Sequence, residues 1–405
     1  MDINIILIII LVISSLIALL PIIVLYVKDN KKNAIKLSNC GILHEVEFGG
    51  VCLKISIEDF NKLGFEYGDS VNVFFSNGYT LRNIPYYNGY YSNTGSPLVI
   101  GYPGYKYLEV SINNGDDLWN LADLDTKKLL GEKNMLWEAF NLNENITATI
   151  VLEQKGKFLE IQNARNIHYL DDRNLFADDE TFANFRCMKG GKLKENYFYR
   201  SASPCNNIHQ RAPYVDKLIS GAGIKYVINL ADTEEKIEGY IKESDYNSPY
   251  FATLFNKDDA QNNCVVPLAL TMNYGSKYFK TQTIKGLNAI VEHDGPFLIH
   301  CTEGKDRTGF FCLLVEMIAG ASYEEIVDDY MLTYKNYYSI TRENDKKKFD
   351  IIIENFLNPM IFSIVGKKNV DLKKINFEEY SRRFLLKNGM TEEQIQKLKS
   401  KIKKW

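Results

Sequence analysis

Residues 300–309 combine the residue types that perform phosphate chemistry. They read His-Cys-Thr-Glu-Gly-Lys-Asp-Arg-Thr-Gly, with an apolar run at 296–299 before them and an apolar, helix-compatible run at 310–318 after them. This pattern predicts a strand, a loop and a helix, with the loop N–H groups gathered at the positive end of the helix, where a tetrahedral dianion binds. The same field lowers the pKa of the Cys301 thiol and makes it a nucleophile, and Arg307 can hold two phosphate oxygens.

A Walker-type phosphate loop and a buried structural cysteine are the alternatives for this stretch. The first fails, because Ile299 stands where a Walker loop needs its first glycine and Asp306 stands where it needs Ser or Thr. The second is the commoner fate of cysteine in general. Yet a chain with only five His and seven Cys would rarely assemble this string by chance. A catalytic loop is therefore favoured.

The pattern His-Cys-x5-Arg-Thr-Gly resembles the signature of the cysteine-dependent phosphatases, the protein tyrosine phosphatase superfamily. Its form Gly-Lys-Asp-Arg-Thr-Gly resembles bacterial tyrosine phosphatases, some of which also act on phosphoinositides. Residues 184–186 (Asn-Phe-Arg) and 199–204 (Tyr-Arg-Ser-Ala-Ser-Pro) resemble the first segment of the same family's domain. The resemblance implies an α/β phosphatase domain with a central, mainly parallel sheet flanked by helices, and a reaction that needs no metal or organic cofactor.

The resemblance and the loop chemistry together suggest a role for each loop residue. Cys301 is the nucleophile and Arg307 binds the phosphoryl group. His300 is expected to order the loop and support the thiolate, and the Thr308 hydroxyl to help the sulfur leave when the intermediate is hydrolysed. The predicted phosphate-binding residues are Thr302, Glu303, Gly304, Lys305, Asp306 and Arg307.

Cleavage of a phosphate ester also needs an acid that gives a proton to the leaving oxygen. Many members of the resembling superfamily take it from a loop some thirty residues before the cysteine, but residues 264–289 contain no Asp or Glu. Asp232 is the favoured candidate, because it follows a predicted buried strand, and binding groups of open α/β sheets collect at strand ends. Asp258, Asp259 and Asp306 remain alternatives.

Two arginines and one helix complete the expected surroundings of the loop. Arg186 and Arg200 can serve either as anion contacts or as salt-bridged supports of the domain, and the sequence leaves both roles open. Residues 323–338 have helical spacing and resemble the helix that follows the loop in the family.

The N-terminus carries the second strong signal. Residues 5–27 contain no charge and are rich in Ile, Leu and Val, and about 20 such residues cross a bilayer. Asp2 and the lack of a convincing cleavage site argue against a secretory signal peptide. The sequence therefore predicts a single-pass anchor in the cell membrane, with the side of the membrane undetermined. The predicted domains are a transmembrane anchor (1–27), a linker (28–38), a β-rich domain (39–168) and the phosphatase-like domain (169–405).

The β-rich domain is predicted to be a barrel or a sandwich. Residues 71–75 and 79–81, joined through Asn-Gly, form one predicted hairpin, and residues 147–152 and 158–161 form another. The net charge of −3 gives no reason to expect nucleic acid as a partner. The seven cysteines have no C-x-x-C spacing, which argues against a zinc site.

Three functions remain open at this stage. The first is hydrolysis of phosphotyrosine in proteins, and the second is hydrolysis of phosphoinositides or inositol phosphates. The third is an inactive, phosphate-binding module, against which the intact Cys301, Arg307 and Thr308 count. The expected partners are thus a phosphorylated protein or a phosphoinositide, together with the membrane.

Overall fold

A computed structural model describes residues 34–45, 49–124, 146–167, 170–256, 258, 262–368 and 370–404. The chain divides into two compact units, and the boundary along the sequence falls between Gln162 and Asn163. Each unit has its own hydrophobic core.

The first unit is a closed β-barrel. Alternate strand residues face the interior of the barrel, as Val51 and Leu53 do. The elements up to the boundary are β1 (Lys36–Glu45), β2 (Gly50–Leu53), α1 (Ile57–Lys62), β3 (Ser70–Phe75), β4 (Thr80–Tyr87), β5 (Pro97–Ile100), β6 (Leu108–Ile112), α2 (Leu118–Leu121), β7 (Thr147–Gln154) and α3 (Leu159–Arg165). The strand order around the barrel is β1-β2-β6-β5-β4-β3-β7. Of the two predicted arrangements, the structure has the barrel.

One of the two predicted hairpins is present. Strands β3 and β4 pair antiparallel around Asn77 and Gly78, as the Asn-Gly dipeptide predicts. The second predicted hairpin is wrong, because β7 pairs with β1 and β3 and residues 159–165 form helix α3. Leu, Glu, Gln, Ala and Arg in that segment are good helix formers, and this preference prevails over the short apolar pattern.

The second unit is an α/β domain. After an isolated 3₁₀ turn (Arg173–Leu175), its elements are α4 (Asp179–Ala183), β8 (Arg186–Cys187), β9 (Phe198–Ser201), α5 (Ala212–Gly221), β10 (Tyr226–Asn229), α6 (Glu234–Ile241), α7 (Pro249–Leu254), β11 (Val265–Pro267), α8 (Lys277–Glu292), β12 (Phe297–His300), α9 (Asp306–Ile318), α10 (Tyr323–Tyr338), α11 (Lys346–Ile352), a π-helical segment (Ile353–Leu357), α12 (Asn358–Val365), α13 (Phe377–Lys387) and α14 (Glu392–Ile402). Helix α10 has the bounds predicted from the sequence, and Ser322 and Glu325 form a capping box at its start.

The sheet of this domain has the order β11-β10-β12-β9-β8, and its strands are parallel except for the antiparallel pair β8 and β9. The register aligns Ser201, His300 and Asn229 at the carboxyl ends of β9, β12 and β10. Helix α9 is central, since all its residues from Thr308 to Ile318 are buried. Binding groups collect at the carboxyl edge of such a sheet, so the loops after these three strands are expected to form the site.

The predicted fold class included a transmembrane helix, and that part of the prediction is wrong. Within the described residues, no helix is long and apolar enough to cross a bilayer. The longest of these helices, α8 and α10, have 16 residues each, whereas a span needs about 20 apolar residues. The predicted anchor, residues 1–27, lies outside the described residues. The corrected fold class is a closed β-barrel followed by an α/β domain with a mainly parallel sheet.

Candidate active site

The cysteine loop connects β12 to α9. Cys301 directly follows β12 and is only 3% exposed, and α9 begins at Asp306. The side chain of Lys305, the residue before α9, makes no capping hydrogen bond to the helix, so the first N–H groups of α9 stay available to a ligand in the loop. With the helix dipole, these groups form a site for an anion beside the sulfur.

Gly304 allows the loop to turn closely along β9. Its φ is +68°, and a Cβ built on it would lie 2.2 Å from the carbonyl oxygen of Ser201. Any side chain would therefore collide with backbone and would also adopt the left-handed conformation that L-residues disfavour.

Three consecutive carbonyl oxygens of the loop accept hydrogen bonds from the surrounding domain. The Ser203 N–H donates to Thr302 O at 3.1 Å, and the Tyr337 hydroxyl donates to Glu303 O at 2.8 Å. Gly304 O accepts hydrogen bonds from the side chains of Asn184 and Arg200. Because these carbonyls bond to the surrounding domain, the N–H groups of the loop remain available to an anion.

The two side chains on Gly304 O belong to a buried ion-pair network. Asn184 Nδ2 donates to Gly304 O at 3.3 Å, and Arg200 Nη2 donates to it at 3.0 Å. Arg200 also pairs with Asp329, and Arg186 Nε donates to the same carboxylate at 2.8 Å. Asp329 and its two arginines thus support the loop from below, and of the two roles left open by the sequence, the structure shows this one for both arginines.

Arg307 lies in the first turn of α9, and its side chain reaches back to the loop. Its Nη2 donates to Thr302 Oγ1 at 3.1 Å, and its Nη1 donates to the Leu270 carbonyl at 3.3 Å. These two bonds fix the plane of the guanidinium, which is half-buried. A planar, fixed guanidinium is suited to bidentate binding of a phosphoryl group.

His300 is fully buried, and its Nδ1 lies 3.2 Å from the Cys301 carbonyl oxygen. Burial lowers the pKa of His300 to about 3, with the nearby Arg307 acting in the same direction and the backbone contact opposing it. A ring that is neutral at physiological pH and so weakly basic is suited to ordering the loop, as the sequence predicts, rather than to proton transfer.

Thr308 is fully buried on the first turn of α9. Its Oγ1 has no hydrogen-bond partner within the part of the chain that the structure describes. The hydroxyl is therefore available for the predicted interaction with the sulfur or with a bound group, and this role stays a prediction.

Asp232 follows β10 at the same edge of the sheet and is buried. Its carboxylate accepts from Asn229 Nδ2 at 3.1 Å and from the Tyr240 hydroxyl at 3.4 Å. Burial raises the pKa of Asp232, while the bond from Asn229 and the charge of Arg307 oppose the rise. Asp232 is thus a carboxyl with a raised pKa within electrostatic range of the loop arginine, and its role as the general acid stays a prediction.

The other candidate acids lie in different surroundings. Asp306 is the first residue of α9, and its carboxylate lies 3.8 Å from Lys305 Nζ. Asp258 is exposed on its loop, and Asp259 lies outside the described residues. Of the described candidates, only Asp232 is buried.

Sequence reasoning missed the supporting role of α10. Asp329, Thr333 and Tyr337 each bond to the loop or to its arginine supports. They are spaced four residues apart, so they form one stripe along the helix. This stripe of polar residues on an otherwise buried face was the signal available in the sequence.

The site brings together a buried thiol, an anion-binding loop, a fixed arginine and a buried acid. Such a set is able to attack, stabilise and protonate a phosphate ester. Among the described residues, no group of three or more His, Cys, Asp or Glu side chains is arranged to hold a metal ion.

Comparisons with known proteins assign the α/β unit to a family. No curated protein sequence matches the chain. The structure is similar to the core catalytic domain of the PP-IP phosphatase SIW14 from S. cerevisiae, solved with citrate, at 17% identity and a TM-score of 0.25, covering 42% of this chain and 92% of that one. A model of the tyrosine phosphatase family matches residues 160–403, which is more than half of the chain. The chain therefore belongs to the tyrosine phosphatase family and is a cysteine-based phosphatase.

Proposed function

We propose that the chain hydrolyses phosphotyrosine in proteins through a phosphocysteine intermediate on Cys301. The observation that carries the proposal is the position of Cys301 at the anion site formed by the loop and the start of α9. Arg307, fixed by Thr302 and Leu270, lies beside the same site. Family membership supports a cysteine-based phosphatase, and the substrate and the mechanism are our inference.

In the first step the Cys301 thiolate attacks phosphorus in line with the leaving oxygen. The S–P bond forms and the bond from phosphorus to the phenol oxygen breaks. Arg307 and the loop N–H groups stabilise the charge on the equatorial oxygens of the transferring group. Asp232, kept protonated to a higher pH by burial, gives its proton to the phenol oxygen.

In the second step water attacks the phosphocysteine. The new P–O bond forms, the S–P bond breaks and the water proton passes to Asp232, which is thereby ready for the next cycle. The Thr308 hydroxyl donates to the departing sulfur, and inorganic phosphate leaves the loop.

The depth of the sulfur supports an aryl phosphate as the substrate. With Cys301 only 3% exposed, the phosphorus must reach below the protein surface. A phosphate at the end of a flat phenyl ring reaches further from its peptide backbone than a phosphate on a seryl or threonyl hydroxyl. Phosphotyrosine therefore fits this site better than phosphoserine or phosphothreonine.

A substrate panel on the full chain tests the proposal. It contains phosphotyrosine, phosphoserine and phosphothreonine peptides, short-chain phosphoinositides and phytate, and phosphate release is measured. We expect the highest kcat/KM for phosphotyrosine and no turnover by Cys301→Ser. Equal turnover by Cys301→Ser and the wild type would refute the phosphocysteine mechanism, and preference for inositol lipids over peptides would refute the assigned substrate.

A further inference from the structure

Glu303 lies between a lysine and a histidine side chain, Lys305 and His209, in the cysteine loop region. Its Oε2 is 2.9 Å from Lys305 Nζ, and its Oε1 is 4.0 Å from His209 Nε2. The backbone of Glu303 is held by the Tyr337 hydroxyl on its carbonyl oxygen. The carboxylate is therefore presented to both basic groups from a fixed position on the loop.

Lys305 is engaged by its neighbours on several sides. Besides Glu303, it lies 3.8 Å from the Asp306 carboxylate and 3.4 Å from the Tyr338 hydroxyl, and its side chain is only 15% exposed. Burial acts to lower the pKa of Lys305, but the charges of Asp306 and Glu303 prevail and raise it well above its ordinary value. The lysine thus remains charged, and its charge is compensated by carboxylates of the loop itself.

The paired state of Lys305 bears on how much charge a substrate can carry beyond the reacting phosphate. A phenyl ring is neutral and meets no electrostatic penalty from Glu303. A second phosphate on an inositol ring carries a charge of about −1.5 to −2. If it lay near this part of the loop, the Glu303 carboxylate would repel it, and Lys305 would attract it less because Lys305 is already paired. Partly buried charges act on each other strongly, because water screens them poorly.

We propose that Glu303 is a specificity-determining residue that restricts the site to singly phosphorylated substrates by compensating Lys305 and repelling a second phosphate. The proposal rests on the proposed function, because it concerns the choice of ester at the same cysteine. Specificity would then come as much from repulsion by Glu303 as from attraction by Lys305 and Arg307. Glu303 acts here through charge and not by touching the reacting atoms.

The test compares substrates that differ by one phosphate. The full chain, Glu303→Gln, Glu303→Ala and the double variant Glu303→Gln/Lys305→Gln are assayed on short-chain phosphatidylinositol monophosphate and bisphosphate and on a phosphotyrosine peptide. We expect Glu303→Gln to raise the ratio of kcat/KM for the bisphosphate to that for the monophosphate about tenfold, mainly through a lower KM for the bisphosphate. The double variant should lose this gain, and the gain should shrink as salt is raised.

A matched control is Glu393→Gln, which removes an exposed carboxylate paired with Lys397 on α14 and should keep the wild-type ratio. An unchanged ratio in both Glu303 variants would overturn the proposal. An equal loss of kcat/KM on every substrate would also overturn it, because such a loss would mean that Glu303 only keeps the loop ordered. Failure of the proposed function would give a different result. The wild type would then not hydrolyse the phosphotyrosine peptide, whatever its ratio of kcat/KM for the bisphosphate to that for the monophosphate.

Discussion

Arg200 donates a hydrogen bond to the carbonyl oxygen of Gly304, 3.0 Å away, from a side chain that is 1% exposed. A fully buried cation thus holds the backbone of the loop and does not meet the substrate. Asp329 balances its charge from helix α10. The shape of the phosphate cradle is in this way linked to an ion pair beneath it.

Replacement of Arg200 by Met should therefore impair both stability and catalysis. It leaves part of the Asp329 charge uncompensated in the core, which costs about 3–5 kcal/mol in comparable buried pairs. We also expect a lower kcat, since the N–H groups of the loop lose their alignment when the contact to Gly304 O is removed. The control Arg383→Met removes an exposed pair with Glu379 and should cost at most about 1 kcal/mol. A wild-type kcat in Arg200→Met would show that catalysis by the loop does not depend on this contact.

A comparison of Gly304→Ala with Gly366→Ala separates the effect of backbone strain at positive φ from the effect of a steric clash of the new Cβ. Both glycines have positive φ, but only Gly304 has backbone in the way, whereas a Cβ on Gly366 meets nothing within 4 Å. Gly366→Ala should lose about 1–2 kcal/mol of unfolding free energy from the left-handed conformation alone. Gly304→Ala should lose more than this and should also lose most of its activity. Denaturant unfolding and phosphate release measure the two effects, and equal losses in both variants would contradict the clash with Ser201.

Asp232→Asn should slow the reaction most for poor leaving groups. Loss of a general acid typically costs about 10²–10⁴-fold, and the loss is largest when the departing oxygen is most basic. Phenyl phosphate should therefore suffer more than p-nitrophenyl phosphate. Asp306→Asn and the exposed Asp258→Asn are assayed beside it, and an equal response of both esters in Asp232→Asn would exclude Asp232 as the acid.

The raised pKa of Asp232 also predicts a dependence of stability on pH. Because the folded state favours the protonated carboxyl, its contribution to stability is complete below the unfolded pKa of about 3.9 and is lost as pH rises through the folded pKa. Asp232→Asn, which carries no charge at any pH, should thus gain on the wild type in unfolding free energy as pH rises above about 4. Unfolding curves at a series of pH values measure the difference, and a gain that grows towards low pH would contradict the assigned shift.

Tyr337→Phe tests the hydrogen bond to the Glu303 carbonyl. Removing the hydroxyl leaves a part-buried carbonyl without its donor. We expect a loss of about 1–3 kcal/mol in unfolding free energy and a several-fold lower kcat, because the loop is less well ordered. The control Tyr278→Phe removes a hydroxyl that bonds to Ala269 O from an exposed side chain, where water can replace it. If the two variants lose the same unfolding free energy and the same kcat, the hydrogen bond to Glu303 is not specifically required by the loop.

The sequence was informative where chemistry is local. The loop, helix α10 and the strand before Asp232 follow from contiguous patterns, and the structure has each of them. The supports of the loop were not predictable in the same way, because Asp329 meets Arg186 and Arg200 from more than a hundred residues away. The segment at 159–165 was misjudged because a few alternating apolar residues fit a strand as well as a helix.

The donors to the loop carbonyls come from places far apart in the chain. Asn184 and Arg200 reach Gly304 across 120 and 104 residues, and Tyr337 reaches Glu303 across 34. No fragment of the domain contains a complete cradle, so the binding site comes into being only with the cooperative folding of the whole α/β unit. Oxyanions that occupy the cradle, such as vanadate, should consequently raise the melting temperature of this unit in proportion to the logarithm of their concentration, and heat inactivation should coincide with loss of tertiary structure.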